Sequence, residues 1–109
     1  MVVAEVSIEP IGTASPSYSD IVTACVDVLN RQKDVKFDVT AMGTILEGER
    51  DSVMNAVSNM EDACFKAGAK RVILNLRIDD RRDRPMKSAQ EMEREVEMKV
   101  GRGQTGIRY

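Results

Sequence analysis

The sequence contains no histidine and no tryptophan, and its aromatic content is only 4%. Without histidine there is no Ser-His-Asp triad, no imidazole-ligated metal and no imidazole acid–base pair working near neutrality. So few aromatics also argue against a surface on which nucleic-acid bases stack. There are two cysteines, Cys25 and Cys64, too few for a metal cluster and without the CxxC spacing. Each sits among apolar residues at helical spacing, so both read first as small core residues, with a disulfide or a reactive thiol as the less favoured alternative. Glycine-rich phosphate loops of the Walker or dinucleotide type are missing, and Gly12 and Gly43 stand alone. No apolar run approaches the roughly 20 residues of a membrane helix. The formal net charge of -2 supplies no field that would draw nucleic acid or an anionic membrane. The first residues carry Glu5 inside an apolar run and lack a basic segment, which does not read as a signal peptide. The expectation is therefore a cytoplasmic protein with no nucleic-acid, membrane, metal or cofactor partner.

What is present describes a folded domain. The chain has 109 residues, 42% apolar and 31% charged, enough for one core and too few for two. The expected division is a single domain over residues 1–100 and a flexible tail over 101–109, where three glycines occur without periodicity.

The most informative stretch runs from Val35 to Glu49. Its first half alternates apolar and polar residues as a half-buried strand does, Gly43 interrupts it, and Thr44-Ile45-Leu46-Glu47 resumes an extended pattern. Two strands hinged at Gly43 would leave Thr44 and Glu47 near the junction. Before it, Val2, Ala4, Val6 and Ile8 give a first strand one apolar face. Pro10 to Pro16 is loop, and Ser17, three residues before Asp20, is placed to open a helix. Ile21, Val22, Cys25, Val26 and Leu29 form that helix's apolar face. After the hairpin, Val53, Ala56, Val57, Met60 and Cys64 mark a second helix from about Asp51 to Ala67, which Gly68 is suited to terminate. Arg71 to Ile78 is a clear last strand, and Met86 to Val100 reads as a third helix with a thin apolar stripe.

The order strand, helix, strand, strand, helix, strand predicts an α+β fold of the ferredoxin-like βαββαβ kind. Its four-stranded antiparallel sheet would carry two helices on one face, with the C-terminal helix added. The second sheet face would present Glu5, Ser7, Glu9, Asn75 and Arg77, and an oligomer interface is its first expectation. The turn Asp79-Asp80-Arg81-Arg82-Asp83-Arg84-Pro85 reads equally as a solvated loop with local ion pairs and as an inter-subunit contact. Asp79 and Asp80 without a second carboxylate cluster are a poor metal site.

No catalytic motif appears. Polar groups able to converge are Ser15 and Ser17 before the first helix, Thr44 and Glu47 in the hairpin, and Asn75 and Arg77 in the last strand. Hydroxyls, an amide and a carboxylate suit holding a small donor-rich or cationic molecule rather than transforming it.

Four segments in order carry a resemblance. They are Glu9-Pro10-Ile11-Gly12-Thr13 with Ser15-Pro16-Ser17, Met42-Gly43-Thr44 running into Glu47-Gly48-Glu49, Gly68 with Lys70-Arg71-Val72, and Ile78-Asp79-Asp80-Arg81-Arg82-Asp83. Together they resemble the small thiamine-binding protein family. The resemblance implies a ferredoxin-like domain in dimers or tetramers, binding thiamine or its hydroxymethylpyrimidine moiety with no known catalysis. It implies ligand contact at Thr44 and Glu47, the carboxylate accepting from the aminopyrimidine and opposing the thiazolium charge. Ser7, Ser17 and Asn75 come second, and Met42, Phe37 or Leu46 would supply an apolar surface for the ring.

Two readings therefore compete. One is a non-catalytic binder of thiamine or its pyrimidine in a homo-oligomer; the alternative is an oligomeric regulatory or scaffold module without a small-molecule ligand. An RNA-binding domain of this strand order would need exposed aromatics where Gly43-Thr44-Ile45-Leu46-Glu47 stands. An acylphosphatase would need an arginine between Pro10 and Tyr18, where no basic residue occurs.

Overall fold

The computed structural model describes residues 1–12 and 18–101, residue 18 by its backbone. The expectations for Ser15, for Ser17 as a helix cap and ligand contact, and for the tail past Gly101 fall outside the described residues. The elements are β1 (Val2–Ile11), α1 (Tyr18–Asp27), β2 (Val35–Thr40), β3 (Gly43–Gly48), α2 (Arg50–Lys66), β4 (Arg71–Asp79) and α3 (Ala89–Val100). α1 tightens into a 3-10 turn over Val28–Arg31 before the chain enters β2. The four strands form one antiparallel sheet in the order β2-β3-β1-β4.

β1 alternates because its two faces meet different surroundings. Val2, Ala4 and Val6 are buried with Leu29, Val35, Leu46, Val53, Ala56, Val57 and Met60 beneath α1 and α2. Each fully buried aliphatic side chain of this kind stabilises by roughly 1.5–3 kcal/mol. Ile21, Cys25, Cys64 and Ala69 make a second, smaller cluster between the two helices. Here the structure corrects the reading of the cysteines as core residues only. Cys25 and Cys64 are fully buried and also joined as a disulfide that ties α1 to α2. Helical stripes from two elements meeting at one layer brought the sulfurs together, which neither stripe discloses by itself.

Within the hairpin β3 is an inner strand, whereas β2 is an edge strand with only Val35 buried. The residues Ala41 and Met42 form the turn, and the Thr40 hydroxyl donates to the Gly43 carbonyl at 2.9 Å. Gly43 is required by proximity. A Cβ there would stand 2.8 Å from the Val6 carbonyl oxygen of β1, closer than such atoms approach. α2 ends where Gly68, at φ 117°, lets the Ala69 N–H reach the Cys64 carbonyl and its own N–H reach that of Phe65.

α3 begins at Ala89, three residues later than the periodicity implied. Ser88 stands at the cap position, its hydroxyl accepting from the Glu91 N–H at 3.1 Å. The preceding charged turn holds two local ion pairs. Arg81 grips Asp83 through two bonds of 2.7 and 3.1 Å, and Arg82 donates to Asp80 at 2.9 Å. Those guanidinium hydrogen bonds hold both carboxyls below the usual carboxylate range.

Two predictions follow from the packing. Gly43→Ala is expected to lower stability by about 1–3 kcal/mol, since the methyl must push β1 and β3 apart; urea unfolding checks this. Reducing the disulfide, which closes a segment with sequence separation 39, is expected to lower stability by about 4 kcal/mol. Thermal melting with and without a phosphine reductant measures it.

Candidate functional site

Register on β1 assigns every polar candidate to a side of the sheet. Thr44 pairs with Val6 and shares its buried face, whereas Glu47 pairs with Val3 on the opposite face. Three positions along a strand is an odd number, so the two side chains diverge. The structure therefore does not bring Thr44 and Glu47 together. Ser7 and Asn75 are directly opposite each other across β1 and β4, on the face turned away from α1 and α2.

Thr44, Ser7 and Asn75 nevertheless line one cleft. The ladder between β1 and β3 ends at Val6, while that between β1 and β4 continues to Ile11. The stagger leaves a notch beside Ser7-Ile8-Glu9, closed by the hairpin turn on one side and by Val22, Cys25 and Val26 of α1 on another. Its volume is about 430 Å³, within the range of small-molecule sites. Thr44 is 4% exposed at its inner wall, and Met42, 84% exposed, stands at its rim. Among the described residues the side chains of Thr44, Ser7 and Asn75 make no hydrogen bond, so their polar atoms are uncommitted.

Sequence reasoning missed two contributors. Glu9, expected only as part of a polar sheet face, also lines the cleft. The signal was the run Glu5, Ser7, Glu9 on one side of β1. The Cys25 end of the disulfide is part of the apolar wall, with Met60 behind it. Of the apolar surfaces expected for a ring, Met42 lines the cleft, Leu46 is fully buried in the core, and Phe37 lies elsewhere.

Glu47 has a different neighbour. Its Oε1 accepts the Ala89 N–H at 2.9 Å, so the carboxylate sits at the N-terminus of α3. That is where the helix dipole favours a negative charge. The first turn of α3 thereby stands over β2 and β3 on the face opposite to α1 and α2. A smaller cavity of about 250 Å³ lies there, lined by Lys36, Asp38, Ile45 and Glu47 with Gln90 and Glu93. Arg77, opposite Glu5 on β4, faces the same side and lines neither cavity.

Comparison with known proteins agrees with this architecture. A family model described as thiamine-binding protein matches residues 4–98. The UPF0045 protein of Methanothermobacter thermautotrophicus is 43% identical over 84 residues, which is 76% of this chain and 84% of that protein. The crystal structure of the hypothetical protein MJ1052 from Methanocaldococcus jannaschii has a TM-score of 0.73 at 32% identity. The match covers 93% of this chain and 96% of that one. A domain of unknown function, DUF77, from Bacillus cereus gives a TM-score of 0.76 at 27% identity, covering 84% and 86% respectively.

The contact at Glu47 yields a prediction. Glu47→Ala is expected to loosen α3 by about 0.5–2 kcal/mol, the worth of a cap with its dipole interaction. Amide hydrogen exchange would rise over residues 89–100 while the sheet is unchanged. Glu47→Gln keeps an acceptor and is expected to show a smaller rise. Equal protection in all three proteins would show that the contact does not hold the helix.

Proposed function

The chain belongs to the thiamine-binding protein family, and from that premise we propose that it holds thiamine, or the hydroxymethylpyrimidine half of it, without transforming it. The observation that carries this reading is the cleft beside the hairpin, where three uncommitted polar side chains face one space with an apolar wall. The strand order with α1 and α2 on one side reads as a ferredoxin-like sandwich, in which the cleft opens at the edge of the central strands.

The chemistry matches an aminopyrimidine. The Asn75 amide offers a carbonyl to accept from the exocyclic amine and an NH₂ to donate to the adjacent ring nitrogen, a two-point pairing. The Thr44 and Ser7 hydroxyls can donate or accept at the ring's other polar edge. Val22, Val26 and Met42 provide the apolar surface, with a thioether standing in for an aromatic platform. Glu9, at the open side, opposes the thiazolium charge. In this reading the task first assigned to Glu47 passes to Glu9, and Glu47 serves α3. Ser17 keeps its second-rank place in the proposal through its position just before α1. The assembly is a homo-oligomer, and the site's lining suits binding rather than catalysis.

Calorimetric titration with thiamine and with hydroxymethylpyrimidine tests this. Saturable binding is expected for both, tighter for thiamine. Asn75→Ala is expected to weaken it by about 1–2 kcal/mol, roughly five- to thirtyfold. Thr44→Val is expected to weaken it by less. Unchanged affinity in both variants would move the ligand out of this cleft. No heat up to about 1 mM ligand, a limit near 4 kcal/mol of affinity, would favour the scaffold module instead.

A further inference from the structure

We propose that the Cys25–Cys64 disulfide and the ligand of the cleft control each other. A bound ligand shields the disulfide from reducing thiols, and opening the disulfide weakens the site. The inference rests on the binding reading above and adds a regulation to it.

The position of the bond carries the inference. A groove of about 620 Å³ runs along the outer side of α1 and α2, lined by Ala24 and Ala63, the chain neighbours of the two cysteines, but by neither cysteine. The smaller cavity beside Glu47 touches neither of them. Of these two and the cleft, only the cleft has one of the pair in its wall, Cys25, together with Val22 and Val26. Both cysteines are fully buried, and they share a closed cluster with Ile21 and Ala69, against which Ile8, Ala67 and Val72 pack. The bond therefore has packed side chains around it and, at its Cys25 end, a space of about 430 Å³.

Reduction requires an external dithiol. Its thiolate attacks one sulfur, forms a mixed disulfide and expels the other cysteine as a thiolate, which takes a proton. The second thiol of the reductant then displaces the remaining cysteine. Two electrons and two protons have passed to the protein, and the reductant leaves as its own disulfide. The two protein sulfurs now withdraw from bonding distance to van der Waals contact, and a close-packed interior has no spare room for that. The free space adjoining them is the cleft, so the wall of Val22, Cys25 and Val26 advances into the volume that the ligand uses. α1 has ten residues, too few to hold a helix in place unaided, and the bond is its covalent tie to α2. A ligand seated against this wall opposes the same movement, and it closes the open side from which a thiolate approaches. The two effects are one coupling. Whatever factor reduction takes from the ligand's affinity, the ligand takes from the equilibrium of reduction.

Thiol titration, calorimetry and reduction kinetics on the full chain test this. The air-oxidised chain is expected to show no free thiol, and two after treatment with dithiothreitol. Hydroxymethylpyrimidine is the calorimetric probe, since it has no thiazolium for a thiol to attack. Its affinity is expected to fall at least about fivefold on reduction. With the probe saturating, limiting dithiothreitol is expected to open the disulfide at least about fivefold more slowly, as read by maleimide quenching and mass spectrometry. Asn75→Ala at the same probe concentration is expected to lose this protection in step with its affinity, which places the protection in the cleft. Cys25→Ala combined with Cys64→Ala is expected to bind with an affinity indifferent to dithiothreitol; a response there would place the effect outside the disulfide. The kinetics of the native chain decide the matter even where that variant does not fold. Amide exchange on reduction is expected to rise over residues 20–27 and to hold over 71–79. A rise throughout would show that reduction unfolds the domain, which would overturn a switch at the cleft. Free thiols in the oxidised chain, equal affinity in both redox forms, or a reduction rate indifferent to the probe would each overturn the coupling and leave the binding reading standing. An oxidised chain without saturable binding would instead overturn the binding reading, and this inference with it.

Discussion

β1 carries the longest ladder of the sheet, nine residue pairs with β4, and five more with β3, and most of the architecture is referred to it. Its even-numbered residues enter the core beneath α1 and α2, and its odd-numbered residues look the other way. β3 and β4 take their facing from that alternation, because directly opposed residues share a face. A slip of one residue on either side would turn Leu46 out of the core and Glu47 into it. The burial of Val2, Ala4 and Val6 thus fixes where each polar group of the protein points.

The cleft is a by-product of unequal ladders. β4 follows β1 to Ile11, and β3 stops at Val6 because the chain must turn at Ala41-Met42. Gly43 allows the turn to press against the Val6 carbonyl, which sets the depth of the notch. Bulky residues of α1 approach from one side but do not fill it, and polar groups from both sheet faces reach it around the free end of the ladder. A hydroxyl from the buried face and an amide from the open face can meet only where the sheet between them ends.

Much of this was legible beforehand. The alternation in β1 and β4, the apolar stripes of α1 and α2, and Gly68 as a helix terminator depend on residues close in sequence, and local patterns report them well. The placing of Ser7 and Asn75 on a common face also follows from alternation. What stayed hidden depends on distant partners. The role of Glu47 is not readable from its neighbours because the group it serves, the Ala89 N–H, lies 42 residues further on. The cysteines looked like core residues because each fits its own helix, and their spacing does not say that the stripes meet. The divergence of Thr44 and Glu47 was available from parity alone.

The topology has a consequence for how the protein is made. Of the four described strands β1 leaves the ribosome ahead of the others, and β4, with which it forms the longest ladder, emerges after them. Roughly sixty residues separate Ile11 from Arg71, so at about 5–20 residues per second the first strand waits several seconds for that neighbour. In that interval the β2–β3 hairpin is an antiparallel pair local enough to form at once, and it can dock on β1 before β4 emerges. The nascent chain would thus hold a three-stranded sheet with one open flank of β1, an intermediate whose lifetime the rate of synthesis sets.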